Sequence, residues 1–128
     1  MIQIEFKNGL LFTTIKLNYR GGSKEINNVV IDTGAAETII TPDAVEEIGL
    51  VVEREDIVNS FYGVGGSLHS FFIKKVDQIY IGNRALSGIE IDFGLVDPKG
   101  SINGLLGLDL LTQIGAVIDI KHLELRME

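Results

Sequence analysis

Apolar and polar residues alternate with a period of two along much of the chain. Near the N-terminus, Ile2, Ile4 and Phe6 alternate with polar residues, a pattern typical of a half-buried β-strand. The dipeptide Asn8-Gly9 follows, a strong signal for a two-residue hairpin turn, and residues 11–19 predict the returning strand. The chain is therefore predicted to begin as a β-hairpin.

Further strand patterns continue to the C-terminus. Short apolar strands are expected at residues 28–31 and 37–40. Longer segments pair into hairpins around Gly-containing turns. The predicted pairs are residues 57–62 with 67–75 around the tip 63–66, residues 76–81 with 85–96 around Gly82-Asn83, and residues 116–120 with 123–127. This spacing predicts an all-β fold.

Two short helices interrupt the strands. Thr41 is a candidate N-cap before Pro42, and Gly49 is a stop signal, so one helix is predicted over residues 42–48. A second helix is predicted over residues 108–113. An apolar strand, a Gly-containing element and a helix therefore occur twice, at residues 29–49 and 102–115, which indicates a faint internal repeat.

Composition narrows the possible functions. The chain has 128 residues, which fits one domain over 1–128, and a formal net charge of -7. No basic cluster exceeds Lys74-Lys75, so no nucleic-acid or membrane partner is expected. The chain lacks Cys and has two distant histidines, so neither a metal nor a cofactor is expected. Met1–Asn8 lacks an apolar signal-peptide core and no transmembrane run is present, so a cytoplasmic protein is expected.

The candidate chemistry is centred on Asp32. Three β-branched residues lead into it in the segment Val29-Val30-Ile31-Asp32-Thr33-Gly34-Ala35. A carboxylate at the end of an apolar strand must be exposed, paired or hydrogen-bonded, because burying it alone is costly. Taken alone, an Asp-Thr-Gly turn after a strand is common. Asp92, Asp97 and Asp119 lack such a Thr-Gly partner and are predicted to be surface charges.

Three segments in order resemble the retropepsin-like (retroviral-type) aspartic protease family. They are the run Val29–Ala35 with Glu37–Ile40, the glycine-rich segment Tyr62–Gly66, and the segment Asn103–Gly115. The resemblance spans residues 29–120. The chain resembles a cellular, stand-alone member of the family more than a viral one. It implies a closed β-barrel or sandwich of short strands, one or two short helices and a β-hairpin flap.

The resemblance also implies a role for each matching residue. Asp32, Thr33 and Gly34 would be catalytic, with Thr33 bridging to a partner loop and Ala35 touching substrate. The substrate-binding flap tip would be formed by Gly63, Val64, Gly65 and Gly66. Leu106 and Gly107 would support the active-site loop rather than touch substrate.

The chemistry of this family requires two carboxylates that share one proton. The chain has only one Asp-Thr-Gly, so the second carboxylate must come from another copy. The expected protein is therefore a homodimer with an Asp32–Asp32 dyad acting on a peptide or protein substrate. By analogy with the viral enzymes, residues 123–128 are expected to pair at the dimer interface.

Two positions depart from the viral pattern. Ala36 stands where an acid is usual and Leu108 stands where an arginine is usual, so the viral ion pair is absent. Losing both partners leaves no buried charge unpaired. Glu37 and Asp109 are the candidates to replace its support.

Two other functions stay open at this stage. The first is a catalytically inactive dimer of the same fold that binds extended peptide or acts as a scaffold, because fold does not fix function. The second is a β-barrel that binds a small molecule, which would leave the Asp-Thr-Gly element unexplained.

Overall fold

The computed structural model describes residues 1–62 and 65–128. Its strands, in chain order, are Ile2–Gln3 (β1), Glu5–Lys7 (β2), Leu10–Tyr19 (β3), Gly22–Ile31 (β4), Ile39–Ile40 (β5), Val58–Tyr62 (β6), Leu68–Ile81 (β7), Arg84–Gly94 (β8), Gly104–Leu106 (β9), Ala116–Asp119 (β10) and Glu124–Met127 (β11). One α-helix, α1, covers Leu108–Gln113, and two 3-10 turns cover Pro42–Ala44 and Glu46–Ile48. The predicted all-β class is confirmed.

Eight strands form one sheet that closes on itself. Its order is β2-β3-β4-β9-β5-β8-β7-β6, and β3 also pairs with β7. The central residues of β3 make this closure possible, because Ile15–Asn18 pairs with β4 on one edge and with Gln78–Ile81 of β7 on the other. The predicted closed barrel is therefore present.

The core fills the inside of this barrel. Aliphatic side chains dominate it, and Phe72 stacks on Phe93 with ring centroids 5.5 Å apart. Fully buried members include Leu17, Val29, Ile40, Ile79, Ile81, Ile91, Phe93, Leu106 and Leu110. Burying each such side chain contributes roughly 1.5–3 kcal/mol, so the core fixes the alternation of every strand that crosses it.

Sequence and structure differ at the first predicted helix. Residues 42–48 form two 3-10 turns rather than one helix, because Val45 between them has φ −124° and ψ 0°. The Val45 side chain is fully buried. Packing of this residue into the core therefore breaks the helix that the Thr41 and Gly49 signals favour.

The two termini come together in a small sheet of their own. Strand β11 lies between β1 and β10 in a separate three-stranded sheet. Ile2 lies opposite Leu125, and Ile118 lies opposite Leu125 on the other edge. Glu124 and Leu125 are thus paired on both edges within one chain, and pairing of residues 123–128 at a dimer interface stays a prediction.

A buried ion-pair cluster fixes the start of the β6–β7 hairpin. Lys74 of β7 is 5% exposed and pairs with Glu53 and with Asp56, whose carboxylate is 2.8 Å from the Lys74 ammonium. Arg20 also contacts Glu53, and hydrogen bonds from Arg20 and Lys74 lower the pKa of Glu53 to about 2. The turn that precedes β6 is therefore tied to the barrel at neutral pH.

Helices play little part in the architecture. The α-helix has six residues, and no helix within residues 1–62 and 65–128 has the length and apolar character needed to span a bilayer.

Candidate active site

Asp32 lies where two parallel strands end together. Strand β4 runs beside β9, with Ile31 opposite Leu106, and the Asp32 amide donates to the Leu106 carbonyl at 2.9 Å. The two segments of the internal repeat are therefore neighbours in space. This pairing places the candidate catalytic residue at the edge of the barrel core.

The active-site loop is defined here as residues 32–38. Its first turn is closed by the Asp32 side chain, whose Oδ1 accepts a hydrogen bond from the Gly34 amide at 2.9 Å. A Cβ on Gly34 would lie 3.2 Å from that same oxygen, so glycine leaves room for this contact. Asp32 is half-buried, and Thr33 and Gly34 are exposed.

The end of the active-site loop is fixed by a polar network. The Thr38 hydroxyl donates to Asp109 Oδ1 at 2.7 Å and accepts from the Gly107 amide at 3.0 Å. The Thr38 amide donates to Asp109 Oδ2 at 3.0 Å, and the Leu110 amide donates to Asp109 Oδ1 at 2.8 Å. Asp109 therefore supports the loop without any basic partner in this network.

Gly107 brings the loop and helix α1 into direct backbone contact. The amides of Leu108 and Asp109 donate to the carbonyls of Ala35 and Ala36 at 2.8 and 3.1 Å. The predicted supporting role of Leu106 and Gly107 agrees with this geometry. Asp109 supports the active-site loop through hydrogen bonds, whereas the partner of Glu37 is another acid rather than a base.

That acid is Asp92 of β8, which the sequence assigned to the surface. Asp92 is half-buried, and β5 brings it beside the loop because Ile39 lies opposite Asp92 in a parallel pair. Burial and a hydrogen bond with the Glu37 carboxyl raise the pKa of Asp92 to about 7. The surface assignment of Asp92 is therefore wrong.

An apolar floor adjoins Asp32 on the face of the sheet opposite the core. Ile31, Ile40 and Leu106 point into the core, so the side chains adjacent to them in sequence point the other way. These are Val30, Ile39 and Leu105, which lie opposite one another in register. Sequence reasoning missed this floor because apolar residues occupy both faces, leaving no alternation to read.

The predicted flap tip is described only in part. Gly63 and Val64 lie outside the described residues. Gly65 and Gly66 are exposed, with φ of 90° and 81°, and β6 and β7 pair from Val58 opposite Phe72 to Tyr62 opposite Leu68. The predicted hairpin is thus present up to residue 62 and from residue 68.

Thr38→Val is expected to destabilise the protein by about 2 kcal/mol, because the isosteric side chain leaves the Gly107 amide without its acceptor and removes the hydroxyl hydrogen bond to Asp109. Thr38→Ser is the matched control, since it keeps the hydroxyl and loses only a methyl group, worth about 0.8 kcal/mol. Chemical denaturation measures both. If Thr38→Val loses no more stability than Thr38→Ser, the hydrogen-bond network of the Thr38 hydroxyl is contradicted.

An all-β barrel with an Asp-Thr-Gly loop at the junction of two parallel strands defines the retropepsin-like class of folds. The sequence model of the family described as "Aspartyl protease" matches residues 15–110. The chain therefore belongs to the aspartyl protease family, and its fold is retropepsin-like.

Solved structures are similar over nearly the whole chain. A retropepsin-like aspartic protease from Rickettsia conorii is 20% identical with a TM-score of 0.69, covering 95% of this chain and 85% of that one. The retroviral protease-like domain of Ddi1 from Leishmania major is 18% identical with a TM-score of 0.62, covering 93% and 88%.

A viral enzyme gives a similar match. The EIAV protease, solved in complex with the inhibitor HBY-793, is 20% identical with a TM-score of 0.62, covering 91% of this chain and 98% of that one. No curated protein sequence matches the chain. At these identities the structural likeness establishes the fold alone.

Proposed function

We propose that the chain is an aspartic endopeptidase whose active site is completed by a second copy of itself, and that residues 1–128 form a single domain of this kind. The observation that carries the proposal is the Asp32 carboxylate, oriented by the Gly34 amide at 2.9 Å on a loop whose Thr33 and Gly34 are exposed. A two-fold axis beside this loop would place two copies of Asp32 together.

Two adjacent carboxylates supply the chemistry that peptide hydrolysis needs. They share one proton, because like charges in contact cannot both ionise. The ionised carboxylate takes a proton from a water molecule, and the protonated one donates a hydrogen bond to the scissile carbonyl. The water oxygen then adds to the carbonyl carbon, and proton transfer to the amide nitrogen releases both products without a covalent intermediate.

The surroundings of Asp32 suit an extended peptide. The partly exposed Ile39 and Leu105 of the apolar floor would accept substrate side chains, with Val30 packed beneath the surface, and Gly34 and Ala35 would contact the substrate backbone. The tip from Gly63 to Gly66 would close over the substrate as a flap and exclude water. Thr33 would contact the partner's loop. These roles are proposals that rest on the retropepsin-like family to which the motifs of the chain correspond.

Digestion of a mixed peptide library from acidic to neutral pH tests the proposal, with products identified by mass spectrometry. The wild-type chain is expected to cleave, and Asp32→Asn is expected to reduce kcat/KM by at least about a thousandfold, because it removes the base of the dyad. Asp43→Asn is the matched control, since Asp43 is exposed on a 3-10 turn.

Oligomeric state must be measured on the same samples by sedimentation. Absence of cleavage by a folded wild-type dimer would contradict the proposal and favour the alternative, an inactive dimeric peptide-binding or scaffold module. Cleavage that persists in Asp32→Asn would contradict the assignment of the catalytic residue.

A further inference from the structure

A cleft with a volume of about 390 Å³ lies beside the active-site loop and is lined by acids from three elements. Glu37 comes from the loop itself, Glu90 and Asp92 come from β8, and Asp109 comes from α1. The cleft lies on the side of β8 opposite the core, because Ile91 and Phe93 on either side of Asp92 are fully buried. The loop and β8 thus meet through acidic side chains.

Among the acids of this cleft, Glu37 acts most strongly on Asp92. Both side chains line the cleft, and a hydrogen bond between the Asp92 and Glu37 carboxyl groups is, after burial, a cause that raises the pKa of Asp92. Such a bond requires a proton on one of the two groups, because two carboxylates have no donor between them. The contact spans two elements that the backbone already brings together, since the Asp92 amide donates to the Thr38 carbonyl at 3.4 Å. The protonated pair is therefore a side-chain bridge between the loop and β8.

The groups around this pair favour the protonated form. Asp109 from α1 and Glu90 from β8 both act to raise the pKa of Asp92. From β7, the apolar Ile73 lies opposite Asp92, and Lys75 lies opposite Glu90. Lys75 is exposed and is the basic residue closest to the cleft along this pair of strands. When Glu37 and Asp92 are both ionised, they repel each other across the cleft.

A metal ion does not explain the cluster. Among the residues that the structure describes, no group of three or more His, Asp or Glu side chains could hold a metal ion. Asp109 is already engaged by three hydrogen bonds from Thr38 and Leu110. The acids are thus arranged as a pair with charged neighbours rather than as a set of ligands.

We propose that Glu37 and Asp92 form a proton-dependent clasp, which holds the active-site loop against β8 in acidic solution and releases it as the pair ionises. The effect on catalysis rests on the proposed protease function, because the clasp would regulate the geometry around Asp32. The clasp itself is a property of the loop and can be measured without any substrate.

The direction of the pH dependence follows from the Asp92 pKa, which is raised from 3.8 to about 7 in the folded chain. Between these pH values the folded state holds a proton that the unfolded state has lost, so the clasp's stabilising contribution falls as pH rises. It is complete below about pH 4 and absent above about pH 7. Loop release is therefore expected near neutral pH.

Thermal unfolding from about pH 4.5 to about pH 8.5 tests the clasp. All variants carry Asp32→Asn, which silences the titration and autolysis of the catalytic pair. In this background, Tm is expected to fall as the pH rises across this range. The fall should be at least about 4 °C larger than in the same chain with Asp92→Asn, whose side-chain amide donates a hydrogen bond at every pH. Glu37→Gln should flatten the curve in the same way, and exposed Glu25→Gln should follow the background.

The Ala36 amide gives a local readout by NMR. Its chemical shift is expected to titrate with a midpoint near pH 7 in the background chain and to lose that transition with Asp92→Asn or Glu37→Gln. Identical Tm profiles with and without Asp92→Asn, or an Ala36 transition that survives both substitutions, would overturn the clasp.

Catalysis is then measured with Asp32 intact. The alkaline limb of kcat/KM is expected to move up by at least about half a pH unit in Asp92→Asn. An unmoved limb would overturn regulation of catalysis by the clasp. Complete absence of hydrolysis would instead overturn the proposed protease function, and the Tm and Ala36 measurements would still decide whether the clasp exists.

Discussion

Gly107→Ala is expected to destabilise the fold by about 3 kcal/mol, because the site has no space for a methyl group. A Cβ at this position would lie 2.7 Å from the Glu37 carbonyl carbon, 2.8 Å from the Ala35 oxygen and 2.8 Å from the Glu37 oxygen. All three are backbone atoms, so no side-chain rotation can relieve the collision. Gly107 has φ −96°, which alanine also adopts, so the expected loss is steric rather than conformational.

The same substitution should also impair activity in the protein that remains folded. The loop would have to move away from α1, stretching the hydrogen bonds that join Leu108 and Asp109 to Ala35 and Ala36. A shift of about 1 Å in a catalytic group can cost roughly a hundredfold in rate, so kcat/KM per folded molecule should fall by about that factor.

Denaturant unfolding and active-site-normalised kinetics measure the two effects of Gly107→Ala. Gln113→Ala is the control, because it also introduces alanine, but at an exposed position of α1. It should change stability by less than about 0.5 kcal/mol. If Gly107→Ala is as stable as this control, the close approach of loop and helix described here is wrong.

The parts of this structure that sequence can predict are local. The hairpin of β2 and β3 follows from Asn8-Gly9, and Lys7 does lie opposite Leu10 across that turn. The helix over Leu108–Gln113 is also confirmed. The length of β4 was missed because residues 22–27 are mostly polar, and only their pairing with β3 identifies them as a strand.

The active-site surroundings depend on contacts between residues far apart in the chain. Thr38 and Asp109 are 71 residues apart, and Glu37 meets Asp92 only because the short strand β5 pairs in parallel with β8. Neither acid has a local sequence feature that separates it from a surface charge. The position of Asp32 could be predicted from its motif, whereas the network that holds its loop could not.

Mixing wild-type chains with Asp32→Asn chains should lower the total activity by more than the reduced amount of wild-type chain accounts for. The proposed dyad needs one Asp32 from each copy, so a mixed dimer has one carboxylate and is inactive. After co-refolding equal amounts, random pairing leaves about one quarter of the dimers with two intact chains. Total activity should therefore fall to about one quarter of that of the same total amount of pure wild type.

The size of the fall separates a shared site from a self-contained one. If each chain carried a complete site, the mixture would retain about one half of the activity, because half of the chains are intact. Asp43→Asn provides the control mixture, since it makes the same chemical change at an exposed position and should leave activity unchanged. A one-half result with confirmed subunit exchange would rule out the Asp32–Asp32 dyad, because it would mean that one copy of Asp32 suffices.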